Sequence, residues 1–343
     1  MKKIRTSLVF CCIFALMTSV YCSSVSAMIF SDGDFGFELN TYQKVSNLVE
    51  YTGNQNIVTV PSAYLTYNLA QINKSAFYSN TNVEIVNLPT TVKKIEDEAF
   101  ANCTALKTFT VSENVTAYGE GVFENCGTLS DARILSENQK LPDRTFRYCT
   151  NLSSVILGNS ITEIGNSAFL GCTSLRSASF LSQISSIGEY AFYNSGLENI
   201  CLSDSLQYVP DYAFANCSNL TYMSIPNTVT EISDTAFNND SNLTLGVYYQ
   251  SFAYNYAKQK SIPYVLIDGV KLGDTDGDGY VSINDVTHIQ RHLAELECLE
   301  GIYLYAADVN KDGVLDISDA TTLQMFLAEY EEIPYPIGEI ITQ

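Results

Sequence analysis

ITEIGNSAFLGCTSLRSASF, residues 161–180, is one turn of a pattern that fills the middle of the chain. Two β-branched residues, Ile161 and Ile164, lead to Ala168 and Phe169; Cys172 follows the phenylalanine by three residues and Leu175 by six. The same frame returns around Phe77, Phe100, Phe123, Phe146, Phe192, Phe214 and Phe237, with successive spacings of 23, 23, 23, 23, 23, 22 and 23 residues. A period held this closely means that each unit is the same supersecondary element stacked on the last. One such unit cannot bury its apolar side alone, and about three are needed before a stack is stable. Eight are present here.

A period in the twenties with Leu, Ile, Val and Cys at fixed offsets predicts a leucine-rich repeat solenoid: short strands with turns, in about eight repeats of 22–23 residues. The frame I-x-x-I-x-x-x-A-F-x-x-C-x-x-L resembles the BspA-like leucine-rich repeat of bacterial surface proteins over about residues 57–245. The resemblance implies adhesion or binding of host or microbial proteins, with no single ligand shared by the family. Such a stack needs both ends closed. FGFELN (Phe35–Asn40) and NLVEYTGNQNIVTVP (Asn47–Pro61) read as short strands that cap the first coil. QSFAYNYAKQKSIPYVLID (Gln250–Asp268) reads as a short helix and a strand that close the last.

Of ten cysteines, Cys103, Cys126, Cys149, Cys172 and Cys217 fall three residues after a repeat phenylalanine, where the sixth repeat has Ser195. A site that accepts Cys or Ser once per coil is small and inward-facing, so these are expected as buried thiols. Their side chains run parallel, which does not give the dihedral a disulfide wants, and zinc sites show close cysteine pairs instead. Cys201, between Ile200 and Leu202, is expected to face out, and Cys298 to lie between the two helices of the tail. Residues eight and ten after each phenylalanine, or seven and nine after Phe192 in the repeat that is one residue shorter, should form an exposed row: Ile85, Asn87, Thr108, Thr110, Asp131, Arg133, Ser154, Ile156, Ser177, Ser179, Asn199, Cys201, Tyr222 and Ser224. This row is small and polar. With no Trp in the chain and only Tyr222 of its 23 Tyr in the row, it favours a protein ligand or a spacer role over a sugar platform.

Beyond the array, DTDGDGYVSIND (Asp274–Asp285) is followed 34 residues on by DVNKDGVLDISD (Asp308–Asp319). Calcium takes six to eight oxygen ligands, which a twelve-residue loop supplies from places 1, 3, 5, 7, 9 and 12 around a glycine at place 6. These places hold Asp274, Asp276, Asp278, the carbonyl of Tyr280, Ser282 through water, and Asp285, with Gly279 at the turn. In the second loop they hold Asp308, Asn310, Asp312, the carbonyl of Val314, Asp316 and Asp319, with Gly313 at the turn. Two calcium ions are therefore expected. Place 12 is Asp, shorter than the Glu of an EF-hand, and no amphipathic helix leads into the first loop. Each loop runs into a helix, over Val286–Leu296 and Ala320–Tyr330, whose apolar residues recur at three and four.

Two copies of a loop followed by one helix, over about residues 271–331, resemble the type I dockerin of cellulosomes. The resemblance implies a small all-α plug that binds a cohesin module on a scaffoldin. Its contact places fall on Ile283, Asn284, Gln290 and Arg291 in the first repeat, and on Ile317, Ser318, Gln324 and Met325 in the second. Ile and Gln match between the repeats, whereas Asn/Ser and Arg/Met do not, which predicts one preferred orientation of binding. A segment this short buries little core, so calcium would also stabilise its fold.

The chain opens with Lys2, Lys3 and Arg5, an apolar run from Leu8 to Tyr21, and small residues ending at Ala27. Residues 1–27 thus read as a secretory signal, with the bulky Tyr21 before Cys22 arguing against a lipid anchor. Removing it takes the net charge from −20 to −23, with 15 acidic residues against 3 basic ones in residues 269–343. Nucleic acid is excluded as a partner on that ground. Only two histidines, His288 and His292, are present, both in the tail, so no histidine-based triad can form in the repeats. The expected organisation is a signal over 1–27, a capped solenoid over 28–268 and a dockerin over 269–343. The expected protein is secreted, non-catalytic and cellulosome-associated, with the solenoid serving in protein binding, adhesion or spacing; the alternative makes the solenoid a carbohydrate-binding or substrate-targeting module.

Overall fold

The computed structural model describes residues 28–248, 250–267, 269–296, 299, 301–330 and 333–341. The signal expected over 1–27 and the position expected for Cys298 lie outside the described residues. The chain forms two compact units: one runs to Leu220 and includes Ser233–Asn242, and the other comprises Thr221–Ile232 and Leu243 onward.

In the first unit each repeat contributes two strands, and equivalent strands of successive repeats pair in parallel. Ile57–Thr59, Ile85–Asn87, Thr108–Val111, Asp131–Ile134 and Ser154–Leu157 make one sheet in that spatial order. The register repeats with the sequence period, Thr108 lying beside Asp131 and Asp131 beside Ser154. Phe109, Val111, Ala132 and Ile134 point inward, while Thr108, Thr110, Arg133 and Ile156 are exposed, as the expected row requires. The row departs from a strand at Ser179, where a 3-10 helix, Ser179–Gln183, takes its place. Phe180 and Leu181 are adjacent and both buried there. Strand alternation can turn only one of two neighbours inward, so the chain coils instead, and Phe180 stacks between Phe169 and Phe192 at 5.4 and 6.4 Å.

The repeat phenylalanine sits at the centre of each turn. Phe77, Phe100, Phe123, Phe146, Phe169, Phe192, Phe214 and Phe237 form one file, with neighbouring ring centroids 4.9–6.1 Å apart. The backbone locks the file: Phe146 donates its N–H to Ala168 in the next coil at 2.8 Å, and Phe169 to Ala191 at 2.7 Å. The cysteines supply the return bond. Cys103, Cys126, Cys149, Cys172 and Cys217 are buried, and each Sγ lies 3.1 Å from the carbonyl of the phenylalanine one coil back. The thiol is thus a small weak donor as well as a small hydrophobe; in the sixth repeat the hydroxyl of Ser195 lies 3.2 Å from Cys217 Sγ. A regularity not read from the sequence is that residues two before and two after the phenylalanine are left-handed, as at Glu98 and Asn102 (φ 54° and 59°) or Gly121 and Asn125 (φ 59° and 60°). The recurrence of Asn or Gly at the second of these places was the available signal.

Ile29–Asp32, Phe35–Asn40 and Val45–Tyr51 form an antiparallel cap, and the last of them pairs in parallel with Tyr67–Ile72. Tyr51 stacks on Phe77 at 5.1 Å, so the cap also ends the aromatic file.

In the second unit, strands Tyr222–Ser224, Thr244–Val247 and Tyr264–Leu266 pair in parallel. Helix α1 (Phe252–Lys260) is capped by Ser251, whose side chain accepts from the Tyr254 N–H, and ends on left-handed Ser261. The tail holds α2 (Ile283–Leu293), α3 (Gly301–Ala307) and α4 (Ile317–Leu327). The expected helices thus begin three residues early. Ser282 and Asp316 are N-caps, with Asp285 and Asp319 completing capping boxes, so place 12 of each loop is the third residue of its helix. To the expected all-α tail the structure adds α3 and an antiparallel pair, Val270–Lys271 with Ile340–Ile341. No helix among the described residues is long and apolar enough to cross a membrane.

Phe146 is fully buried between two rings. Phe146→Ala should destabilise the solenoid by about 3–5 kcal/mol in denaturant unfolding. Burial pushes the Cys103 and Cys217 thiols up to about 12, and the other three file thiols also rise. A thiol reagent followed by peptide mapping should therefore label exposed Cys201 in the native protein and leave those five unmodified.

Candidate metal centre

The two acidic loops share the bonds that form their turns and close them. In the first, Gly279 N–H donates to Asp274 Oδ2 (2.9 Å), Asp278 N–H to Asp276 Oδ1 (3.0 Å) and Tyr280 N–H to Asp278 Oδ1 (2.7 Å). In the second, Gly313 donates to Asp308 Oδ2 (3.0 Å), Asp312 to Asn310 Oδ1 (2.9 Å) and Val314 to Asp312 Oδ1 (2.9 Å). Each loop then closes on its twelfth residue. Asp285 accepts from Asp276 and Ser282 N–H groups at 3.2 and 2.7 Å, and Asp319 from Asn310 and Asp316 at 3.2 and 3.0 Å. Asp285 and Asp319 are both fully buried. The short arm of Asp is thus matched by a loop drawn in onto it. Gly279 and Gly313, at the turn, have φ of 86° and 85°, which L side chains rarely adopt.

This arrangement brings together oxygens of Asp274, Asp276 and Asp278, all within 4.8 Å of one another. Ser282 and Asp316, the expected place-9 residues, also cap their helices, their side chains accepting the N–H groups of Asn284 and Ser318. His292 Nδ1 accepts the N–H of Leu299 at 3.1 Å.

Carboxylates held this close repel one another. Asp274 is fully buried, and burial, with the charges of Asp285 and Asp276 adding to it, pushes its carboxyl up to about 7. Burial also raises Asp276 and Asp319. Hard anionic oxygens converging in a turn whose N–H groups already hold them in place are the donor set of a divalent oxygen-seeking cation, and calcium fits it. The groups that would hold it are the side chains of Asp274, Asp276, Asp278 and Asp285 in the first loop, and of Asp308, Asn310, Asp312 and Asp319 in the second, with the carbonyls of Tyr280 and Val314 at place 7 and Ser282 and Asp316 at place 9.

Helices α2 and α4 pack on each other, and Val286 and Ile289 of the first and Ala320 and Leu323 of the second are buried. The eight residues expected to meet a partner are all exposed: Ile283, Asn284, Gln290, Arg291, Ile317, Ser318, Gln324 and Met325. Ile283 and Ile317 are 62% and 61% accessible, an exposure of β-branched apolar side chains that a folded monomer gains nothing from.

In chelator, folded Asp274 keeps a proton between its ordinary 3.8 and about 7 that the unfolded chain releases. Folding stability therefore falls as pH rises through that window. Calcium should reverse the trend, because protons then compete with the ion for the same oxygens. Melting at pH 5 and pH 8 should give the higher midpoint at pH 5 in chelator, and a calcium-induced rise that is larger at pH 8.

Comparison with known proteins agrees with this geometry. The BspA-type leucine-rich repeat region matches over residues 55–153 and 139–257, and the type I dockerin domain over residues 272–328. No curated protein matches. A leucine-rich cell surface protein from Faecalibacterium prausnitzii is similar at 21% identity, over 71% of this chain and 96% of its own, with a TM-score of 0.34. A leucine-rich repeat protein of T. pallidum is similar at 19% identity, over 68% and 95%, with a TM-score of 0.38. One from Eubacterium ventriosum is similar at 20% identity, over 66% and 53%, with a TM-score of 0.46. Solenoid repeats and dockerins are both non-catalytic module types, and a dockerin implies a cohesin partner, extracellular cellulosome association and calcium. The repeats and their extent place this chain in the BspA-type leucine-rich repeat family, with a type I dockerin domain at its tail.

Proposed function

We propose that this protein is a secreted, non-catalytic cellulosome component with a signal over residues 1–27, a solenoid over 28–268 and a dockerin over 269–343. The dockerin binds a scaffoldin cohesin when two calcium ions fill its loops. The solenoid serves in protein binding, adhesion or spacing. The observation that carries this reading is the pair of loops with the same turn and closing bonds, each leading into a helix that exposes an isoleucine at its first residue and a glutamine seven residues on. Calcium would set the loop, the loop caps its helix, and the helix presents the contact residues. The solenoid's exposed row is small and polar along Thr108, Thr110, Ser177 and Ser179. That composition supports many modest protein contacts over stacking against sugar rings.

Ile283, Asn284, Gln290 and Arg291 form one contact face and Ile317, Ser318, Gln324 and Met325 the other. Their second and fourth members differ between the faces, so one orientation is preferred. Calorimetric titration of the full chain against a cohesin panel should show binding in calcium and none in chelator. Ile283→Ala with Gln290→Ala, and Ile317→Ala with Gln324→Ala, should differ sharply. One pair should weaken binding about a hundredfold, as loss of interface anchors does, and the other only slightly. Equal losses would contradict a single orientation, and binding that persists in chelator would contradict the calcium dependence.

A further inference from the structure

The two calcium loops share the turn and closing bonds given above and are unequal in what surrounds them. Each peptide at the turn of the first loop is held from both sides. Its N–H reaches a ligand carboxylate, as described above, while its carbonyl points outward to a donor from the preceding segment. The Gly277 carbonyl accepts from Tyr264 Oη at 3.1 Å. The Asp278 carbonyl accepts from Tyr254 Oη and Lys258 Nζ, both at 3.1 Å, and the Gly279 carbonyl from Lys271 Nζ at 2.7 Å. Tyr254 and Lys258 lie on α1, and Tyr264 on the strand after it, the two elements that close the last coil. The rings of Tyr254 and Tyr264 meet edge to face at 5.3 Å, and Lys258 also lies over the Tyr280 ring. From the other side Tyr303 of α3 packs on Gly277, where a Cβ would come within 2.7 Å of its ring.

The second loop has none of this. Lys311 stands where the first loop has Gly277, it is exposed, and nothing lies within 4 Å of a Cβ built at Gly313. Among the described residues, no side chain donates to the carbonyls of Lys311, Asp312 or Gly313.

A peptide plane fixed at both ends cannot swing. Since those planes aim the N–H groups that aim Asp274, Asp276 and Asp278, the outer donors act on the ligand set through the backbone. We propose that Tyr254, Lys258, Tyr264 and Lys271 are positioning residues of the first calcium site, so that filling this site and closing the solenoid's last coil are one cooperative event, while the second site binds independently of the cap. The proposal rests on the calcium reading above and adds to it a division of labour. The first ion braces the joint, and the second leaves its loop open to exchange.

Calcium titration of the full chain in two backgrounds tests this. Asp312→Asn removes a ligand from the second loop and leaves the first to be measured; Asp276→Asn does the reverse. Tyr254→Phe with Lys258→Met, which deletes two outer donors while keeping the ring and most of the aliphatic chain, should weaken calcium binding about tenfold in the Asp312→Asn background. In the Asp276→Asn background it should change binding less than about twofold, as should the control Lys93→Met in either. Hydrogen exchange gives the reciprocal readout, in which calcium slows exchange of the α1 amides in the Asp312→Asn chain and not in the Asp276→Asn chain. Equal weakening in both backgrounds, or α1 protection that ignores calcium, would overturn the coupling while leaving the loops as metal sites. No calcium binding by the unsubstituted chain would overturn the metal reading and the coupling with it.

Discussion

The phenylalanine of each coil can leave water only by lying on the phenylalanine of the next. A repeat of 22–23 residues has one apolar side and no partner for it within itself, so stacking is the condition of folding at all. Everything regular in the first unit follows from that. The N–H of one phenylalanine is taken up one coil ahead, and the carbonyl of the same residue receives a thiol from there. Left-handed residues two places to either side turn the chain sharply enough to set the ring inward. The cysteine file, whose regular spacing invites a disulfide reading, is a set of small donors spaced by the coil rise.

A stack held by neighbours has two ends without them, and the molecule treats the ends differently. At the N-terminal end an antiparallel sheet supplies both a strand to pair with and, in Tyr51, a ring to end the aromatic file. At the other end α1 and the strand Tyr264–Leu266 turn their polar tips toward an acidic loop. The hydroxyls of Tyr254 and Tyr264 would otherwise have to find water. Here they hold carbonyls that a calcium loop necessarily points outward, because its N–H groups are used inside. The needs of a solenoid end and of a metal loop are complementary.

Much of the site was legible because its chemistry is local. Ligand places 1, 3, 5 and 12, and the glycine at 6, are dictated by one turn of backbone around one ion, so the spacing of Asp274, Asp276, Asp278 and Asp285 carries nearly all of it. The helix starts were misplaced although their signal was present. Ser282 with Asp285, and Asp316 with Asp319, are capping boxes, and reading these residues only as candidate ligands hid their capping role. The 3-10 helix at Ser179 was hidden for a related reason: strand periodicity was carried through a repeat in which two adjacent large residues both needed burial.

The sequence alone determined the repeat architecture, the burial of the file cysteines and the spacing of the acidic residues in both loops. In each case the deciding interaction lies either within a dozen residues or between copies of the same residue one period apart, and a period is visible in a string of letters. Tertiary structure alone decided that the two loops are unequal. Tyr254, Lys258 and Tyr264 stand 13 to 24 residues before the carbonyls they hold, at no offset that any repeat imposes. Only the folding of a helix, a strand and a loop onto one another brings those donors to the first loop and leaves the second without them.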